Sequence, residues 1–279
     1  MANPRHLIVV AYDGSPESTS AMVWAAETAS LMGRPLLAVT VGPRLGEGPF
    51  PEWDEERLIE THARAQDALK EAGVSDGVAE IRRGPVTSTL LEEAESAELM
   101  VVGSQGHGRI EGALIGSVSQ HLARHATCPV IVVRRPTRPG PSRILVGVDD
   151  SGGSSAALKF ACRRASLTRE PVVALHGWRL PDLPMDKHGD VPEKVAHRIL
   201  DEQRHLAEAV AGLSEEFPDV EIRAEAIPVA APRVLVDGSV TASLVVVGSR
   251  GRGAFAGMLL GSVSQEVQTR AHCPVAIVR

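Results

Sequence analysis

At 279 residues, with 43% hydrophobic and 23% charged side chains, the chain has the length of two domains of about 140 residues and the balance of well-cored globular ones. A formal net charge of −6 and scattered basic residues give no electrostatic basis for nucleic acid as a partner. No apolar run reaches the roughly 18 residues of a membrane span, and Cys128, Cys162 and Cys273, with no CxxC spacing, exclude a disulfide framework.

Aromatic residues make up only 3%, so the cores must be built from Val, Leu, Ile and Ala, as buried parallel sheets are. Cys128 and Cys273 each precede a proline and an apolar run and read as buried free thiols. The opening Met-Ala-Asn-Pro-Arg-His leads into a strand-like run without signal-peptide architecture, and a cytoplasmic location is expected.

In chain order, the first half predicts strands near Leu7–Ala11, Leu36–Val41, Val78–Ile81, Leu99–Val102 and Val130–Val133, and helices near Pro16–Met32, Asp54–Ala72, Thr87–Ala94 and Ser117–Arg124. Ser15-Pro16 offers an N-cap followed by proline at the first helical position, and Gly33 and Gly73 stand where helices should end. The whole pattern then returns. Leu7–Ser15 recurs as Arg143–Ser151, and Leu99–Gly106 as Leu244–Gly251; from there to Arg134 and Arg279 the halves align without a gap, more than half of the positions being identical. Domains are expected over residues 1–137 and 143–279, joined by the Pro-rich segment Arg135–Ser142. Short apolar strands alternating with helices imply two doubly wound, five-stranded parallel α/β sheets with strand order 3-2-1-4-5.

In such a sheet a ligand binds beyond the carboxyl ends of the strands, where the winding reverses. The first strand leads to Asp13-Gly14-Ser15, the fourth to Gly103, Gly106, His107 and Gly108 and on to Gly112, Gly116, Ser117, Val118 and Ser119. The second half supplies Asp149 and then Gly248, Gly251, Gly253, Gly257, Gly261, Ser262, Val263 and Ser264. Glycines of this kind allow positive φ and close approach of backbone N–H groups to an anion. Gly-Ser-Val-Ser then opens a helix whose first N–H groups and dipole favour phosphate, with Ser117 and Ser119 adding hydroxyl donors. A plainer reading makes Ser117–Gln120 and Ser262–Gln265 capping boxes and the two aspartates turn residues.

Other chemistries fit poorly. The four lysines, Lys70, Lys159, Lys187 and Lys194, lie outside both loops, so neither is a Walker A loop. The dinucleotide fingerprint belongs after the first strand, not the fourth. No Gly-x-Ser-x-Gly elbow is present. His62, His121, His125 and His205 lie on expected helices without a metal-ligand partner at the right spacing, and Arg252 replaces His107 in the second loop, which argues against a shared proton-transfer role.

The spaced glycines, the Gly-Ser-Val-Ser run and the Asp closing the first strand together resemble the ATP-binding type of universal stress protein, over nearly the whole chain and twice. The resemblance implies an adenine nucleotide α-hydrolase-like fold, ATP with a divalent cation such as Mg2+, and halves packed pseudo-symmetrically through their fifth strands, as an intramolecular pseudo-dimer or a homodimer. It places Asp13 and the Val41 backbone at the nucleoside, Gly103 and Gly106 near ribose and first phosphate, and Gly116, Ser117, Val118 and Ser119 at the outer phosphates. The matching positions are Asp149, Gly177, Gly248, Gly251, Gly261, Ser262, Val263 and Ser264. Departures from the family pattern leave the phosphate-holding positions intact in both copies. Thr40 stands where His is usual and His176 keeps it; Gly84 becomes Val229; Val41 becomes Gly177; Glu98 becomes Ser243.

With two phosphate loops but no lysine or paired carboxylates beside them, the expected role is a non-catalytic or very slowly hydrolysing nucleotide-dependent regulator of the stress response. The alternatives are an adenylate-forming or ATP-hydrolysing enzyme of the same fold, with Gly42–Asp54 and Leu180–Pro192 as the only room for a second substrate, and a module for a cyclic nucleotide or a protein partner.

Overall fold

A computed structural model describes residues 6–44, 52–74, 76–106, 114–134, 142–179, 193–253 and 259–279, with backbone alone at 52–54 and 193–194. The Pro-rich linker through residue 141, His107, Gly108, Gly112, Gly257 and the segment 180–192 lie outside the described residues. The chain divides into two compact units, Met1–Arg135 and Pro136–Arg279.

The first unit runs β1 (Leu7–Ala11), α1 (Pro16–Met32), β2 (Leu36–Gly42), α2 (Glu52–Glu71), β3 (Gly77–Arg83), α3 (Val86–Ser96), β4 (Ala97–Gly103), α4 (Ser117–His125) and β5 (Val130–Val133). All its strands pair in parallel, in the order β3-β2-β1-β4-β5. The expected order and all nine elements are thus present, with ends shifted by a residue or two. The second unit repeats it as β6 (Ile144–Gly147), α5 (Gly152–Thr168), β7 (Val172–Gly177), α6 (Glu193–Ala211), the short α7 (Leu213–Glu216), β8 (Ile222–Ile227), α8 (Ala231–Gly238), β9 (Leu244–Gly248), α9 (Ser262–Arg270) and β10 (Val275–Val278). Its order is β8-β7-β6-β9-β10, again parallel.

Local chemistry accounts for the ends that matter. Ser15 Oγ accepts the Ser18 N–H at 3.1 Å and caps α1, while Gly33 closes that helix at φ 59°, where a side chain would be strained. Ser151 caps α5 in the same way. The central strands are buried on both faces, which is why they read as continuous apolar runs rather than alternating ones. In the first unit, Val39, Leu90, Met100, Leu122 and Val132 share one core cluster. Each such side chain stabilises the fold by about 1.5–3 kcal/mol relative to exposure, and together they fix the sheet that carries the loops.

Candidate nucleotide site

β1 and β4 are neighbours in the first sheet, so the loops that follow them open on one crevice at the winding reversal. A cleft of about 450 Å³ lies there, within the roughly 300–1,000 Å³ of small-molecule sites. Its walls include Asp13, Val41, Gly103, Gly106 and the whole run Gly116, Ser117, Val118 and Ser119. The eight first-half positions that the resemblance places at the ligand therefore line one cavity, while His107, Gly108 and Gly112 lie outside the described residues. Sequence reasoning missed the contribution of Arg57, Leu58 and Thr61 from α2 and of Val86 and Leu90 from α3. A larger hollow of about 670 Å³ sits at the opposite ends of the strands, between α2 and β3. Its charged lining residue, Lys70, is paired with Asp67 at 3.1 Å, and it lacks converging polar groups among the described residues.

The glycines work differently from the expectation. Positive φ is confined to Gly14, Gly33, Gly73 and Gly84 among described glycines; at the site the missing Cβ is what matters. A Cβ on Gly103 would stand 2.8 Å from the Glu17 carbonyl carbon and 2.9 Å from the Ser18 nitrogen, so glycine lets the first turn of α1 lie against the end of β4. A Cβ on Gly106 would overlap Asp13 Oδ2, and one on Gly251 would overlap Asp149 Oδ2. Gly116 is unlike these. Its backbone is ordinary (φ −78°, ψ 153°), and an added Cβ would meet nothing closer than 3.5 Å. Gly261 is the same, at 3.6 Å. Among the described residues, internal packing does not require glycine at either position.

The capping-box reading is overturned. Gly116 and Gly261 occupy the N-caps, neither helix has a side-chain cap, and Ser117 and Ser262 fall one residue inside. The box needs its serine at the N-cap itself. Ser119, in turn, is buried and donates its hydroxyl to the Gly103 carbonyl at 2.6 Å; Ser264 does so to Gly248 at 2.5 Å. Their hydrogens are thus committed to joining α4 and α9 to the preceding strands, which corrects the expectation that Ser119 adds a donor for phosphate. Ser117 is exposed at the mouth.

Asp13 Oδ1 accepts the Ser15 N–H at 2.9 Å, an Asx turn that aims the carboxylate across the crevice. On the α2 side, Arg83 forks onto Glu55 with contacts of 2.7 and 2.5 Å. Those hydrogen bonds hold the Glu55 carboxyl below the usual range and, with the 3.3 Å contact from Arg83 to the Pro43 carbonyl, position the wall bearing Arg57, Leu58 and Thr61. Thr40 Oγ1, on β2 at the cleft, is buried with no hydrogen-bond partner.

The second crevice is smaller, about 150 Å³, and is lined by Asp149, Gly248, Gly251, Gly261, Ser262, Val263 and Ser264 among others. Gly177 is the one expected position that does not line it. A Cβ there would lie 2.7 Å from the Ala231 nitrogen and 2.8 Å from the Val229 carbonyl oxygen, so the start of α8 packs directly on the end of β7. Asp149 Oδ1 accepts from Ser151 Oγ at 2.6 Å and from its N–H at 3.2 Å, and Oδ2 accepts the Arg252 N–H at 2.9 Å. Asp150, held at φ 57°, pairs with the Arg252 guanidinium at 3.2 Å. His176 donates from Nδ1 to the Val148 carbonyl at 2.7 Å and places Nε2 3.2 Å from Glu202.

Each half is therefore a doubly wound α/β domain whose crevice sits at the switch point of its sheet. Sequence comparison agrees with the geometry: the Universal stress protein family matches residues 4–134 and again 141–279, and the chain belongs to that family as a tandem member. It is 39% identical over 290 residues to the universal stress protein Rv2623 of Mycobacterium tuberculosis, covering 98% of this chain and 96% of that one. Another from the same organism, Rv2005c, is 36% identical over 303 residues, covering 100% and 99%. A solved universal stress protein from Archaeoglobus fulgidus superimposes with a TM-score of 0.68 at 18% identity, over 100% of this chain and 99% of that one, a likeness of fold. Among the described residues no helix is long and apolar enough to cross a membrane.

Proposed function

We propose that this universal stress protein binds an adenine nucleotide, ATP with Mg2+, and acts as a regulator through occupancy rather than turnover. The observation that carries the reading is Gly116: a glycine with ordinary dihedrals and room for a Cβ, at the uncapped N-terminus of α4, facing a cleft of about 450 Å³. Helix N-termini attract phosphate through unpaired N–H groups and the dipole, and a side chain at position 116 would stand between those groups and a ligand.

The rest of the lining suits the remainder of a nucleotide. Val41, Leu58, Val86 and Leu90 would offer apolar surface to the base, and Asp13, in the same cleft, would accept from sugar hydroxyls. Among the described residues no three His, Cys, Asp or Glu side chains converge. A divalent cation would thus be held mainly by phosphate oxygens and water, with Asp13 the nearby carboxylate, as Mg2+ commonly is; it would neutralise phosphate charge. Among the described residues the charged side chains lining the cleft are Asp13 and Arg57. General acid–base work on a phosphate needs a group placed on the attacking water, and an arginine and one hydrogen-bonded aspartate suit binding better.

Displacement of a fluorescent ATP analogue by Mg-ATP and by cyclic AMP, alongside a phosphate-release assay, tests this reading. Displacement by Mg-ATP with negligible release supports it. Preference for cyclic AMP, or turnover of several per second that is lost in Asp13→Ala, would replace it with one of the alternatives.

A further inference from the structure

The two crevices are not equivalent, and the difference traces to positions where the halves depart from each other. Gly84, between β3 and α3, has φ 150°, a conformation closed to residues with a side chain. The matching residue is Val229, which is absent from the non-glycine residues with positive φ and hydrogen-bonds back to the Ile227 carbonyl at 2.7 Å. The turn into α8 therefore takes another course. The backbone of Val229 and Ala231 thus packs on residue 177, where only glycine fits, while the matching Val41 borders the first cleft.

The polar side chains differ as well, although each half has a buried polar atom without a partner, Thr40 Oγ1 in the first and Trp178 Nε1 in the second. In the second half Asp149, Asp150, His176, Glu202 and Arg252 are satisfied by one another and by the backbone. In the first half Thr40, at the position of His176, is 3% exposed, and its Oγ1 has no partner. A buried hydroxyl left unpaired is costly, and this one borders the open cleft.

Resting on the nucleotide-binding reading above, we propose that each chain takes one nucleoside-bearing ligand, in its first half, that Thr40 reads it by a hydrogen bond to the base or sugar, and that the second crevice is closed to nucleosides. At about 150 Å³ that crevice lies below the roughly 300 Å³ where small-molecule sites begin.

Native mass spectrometry of the nucleotide-stripped full chain with Mg-ATP measures the stoichiometry directly. One ATP per chain is expected, and none in Gly116→Val, with circular dichroism confirming that this variant folds. Thr40→Val, which keeps shape and removes the hydroxyl, should weaken ATP by roughly tenfold, and Thr40→Ser should restore most of it. Two ATP per chain, or one that survives Gly116→Val, would overturn the inference and leave the nucleotide-binding reading standing. Equal affinity in wild type and Thr40→Val would remove Thr40 from recognition. No ATP bound by the wild type would overturn both.

Discussion

Ser119 donates its hydroxyl to the Gly103 carbonyl across 2.6 Å, sixteen residues away, and Ser264 repeats the bond on Gly248. It connects the first turn of α4 to the end of β4, so the two ends of the glycine loop are fixed to each other. Ser119→Ala should cost about 1 kcal/mol of stability by removing this part-buried hydrogen bond. It should also weaken Mg-ATP severalfold by loosening the helix N-terminus. Thermal denaturation together with titration checks both; a stability loss with unchanged affinity would make the bond purely structural.

The missing Cβ of Gly106 is matched to the Asp13 carboxylate. Gly106→Ala should therefore displace Asp13 and weaken the nucleotide, whereas adding it to Asp13→Ala should cost little more. A double-mutant cycle on ATP affinity is expected to show a coupling of about 0.5 kcal/mol or more. Additive effects would mean that the loop, not the aspartate, yields to the methyl group.

The packing of the Val229 and Ala231 backbone on Gly177 makes a similar forecast for stability. Gly177→Val forces a side chain into the Ala231 backbone and should destabilise the second unit by about 1–3 kcal/mol or more. Val229→Gly, by letting the turn take the course seen at Gly84, should reduce that cost. Chemical denaturation of the single and double variants measures it; an undiminished cost in the double variant would show that the two positions are independent.

Cys162 bears on pH. Burial first, and Glu216 second, push its thiol up to about 11 from an ordinary 9.0. Since the folded value is the higher, its contribution is fully present below pH 9 and is lost as pH rises from there through 11. Alkaline denaturation should begin in that window and flatten in Cys162→Ala. All three cysteines are buried thiols outside any disulfide, so a thiol reagent at neutral pH should label the native protein slowly and label all three after unfolding.

Much of this was legible in the residues. Duplication, strand order and the meeting of Asp13 with Gly103 and Gly116 follow from short apolar runs, helix punctuation and the rule that ligands sit at the winding reversal. The capping-box serines misled because Ser-x-x-Gln at a helix start scores the same whether the serine is at the N-cap or one residue on; only the backbone of Gly116 distinguishes them. Thr40 and Gly177 were visible as departures from a pattern, yet their consequences were not. Whether residue 177 borders a cavity or a helix depends on the path of the turn at Val229, a tertiary property. The α2 wall was hidden for another reason. Leu58 and Thr61 read as ordinary helix residues until the Arg83–Glu55 fork shows which face turns to the cleft.

The central claim is that the cleft bordered by Asp13, Thr40 and Gly116 holds a nucleotide. Calorimetric titration of the nucleotide-stripped protein with Mg-ATP, in wild type and in Gly116→Val, addresses it most directly. Saturable binding in the wild type that vanishes in the variant, with the fold intact, is the predicted result. Absence of heat from the wild type at millimolar ATP, or equal binding by both proteins, would contradict it.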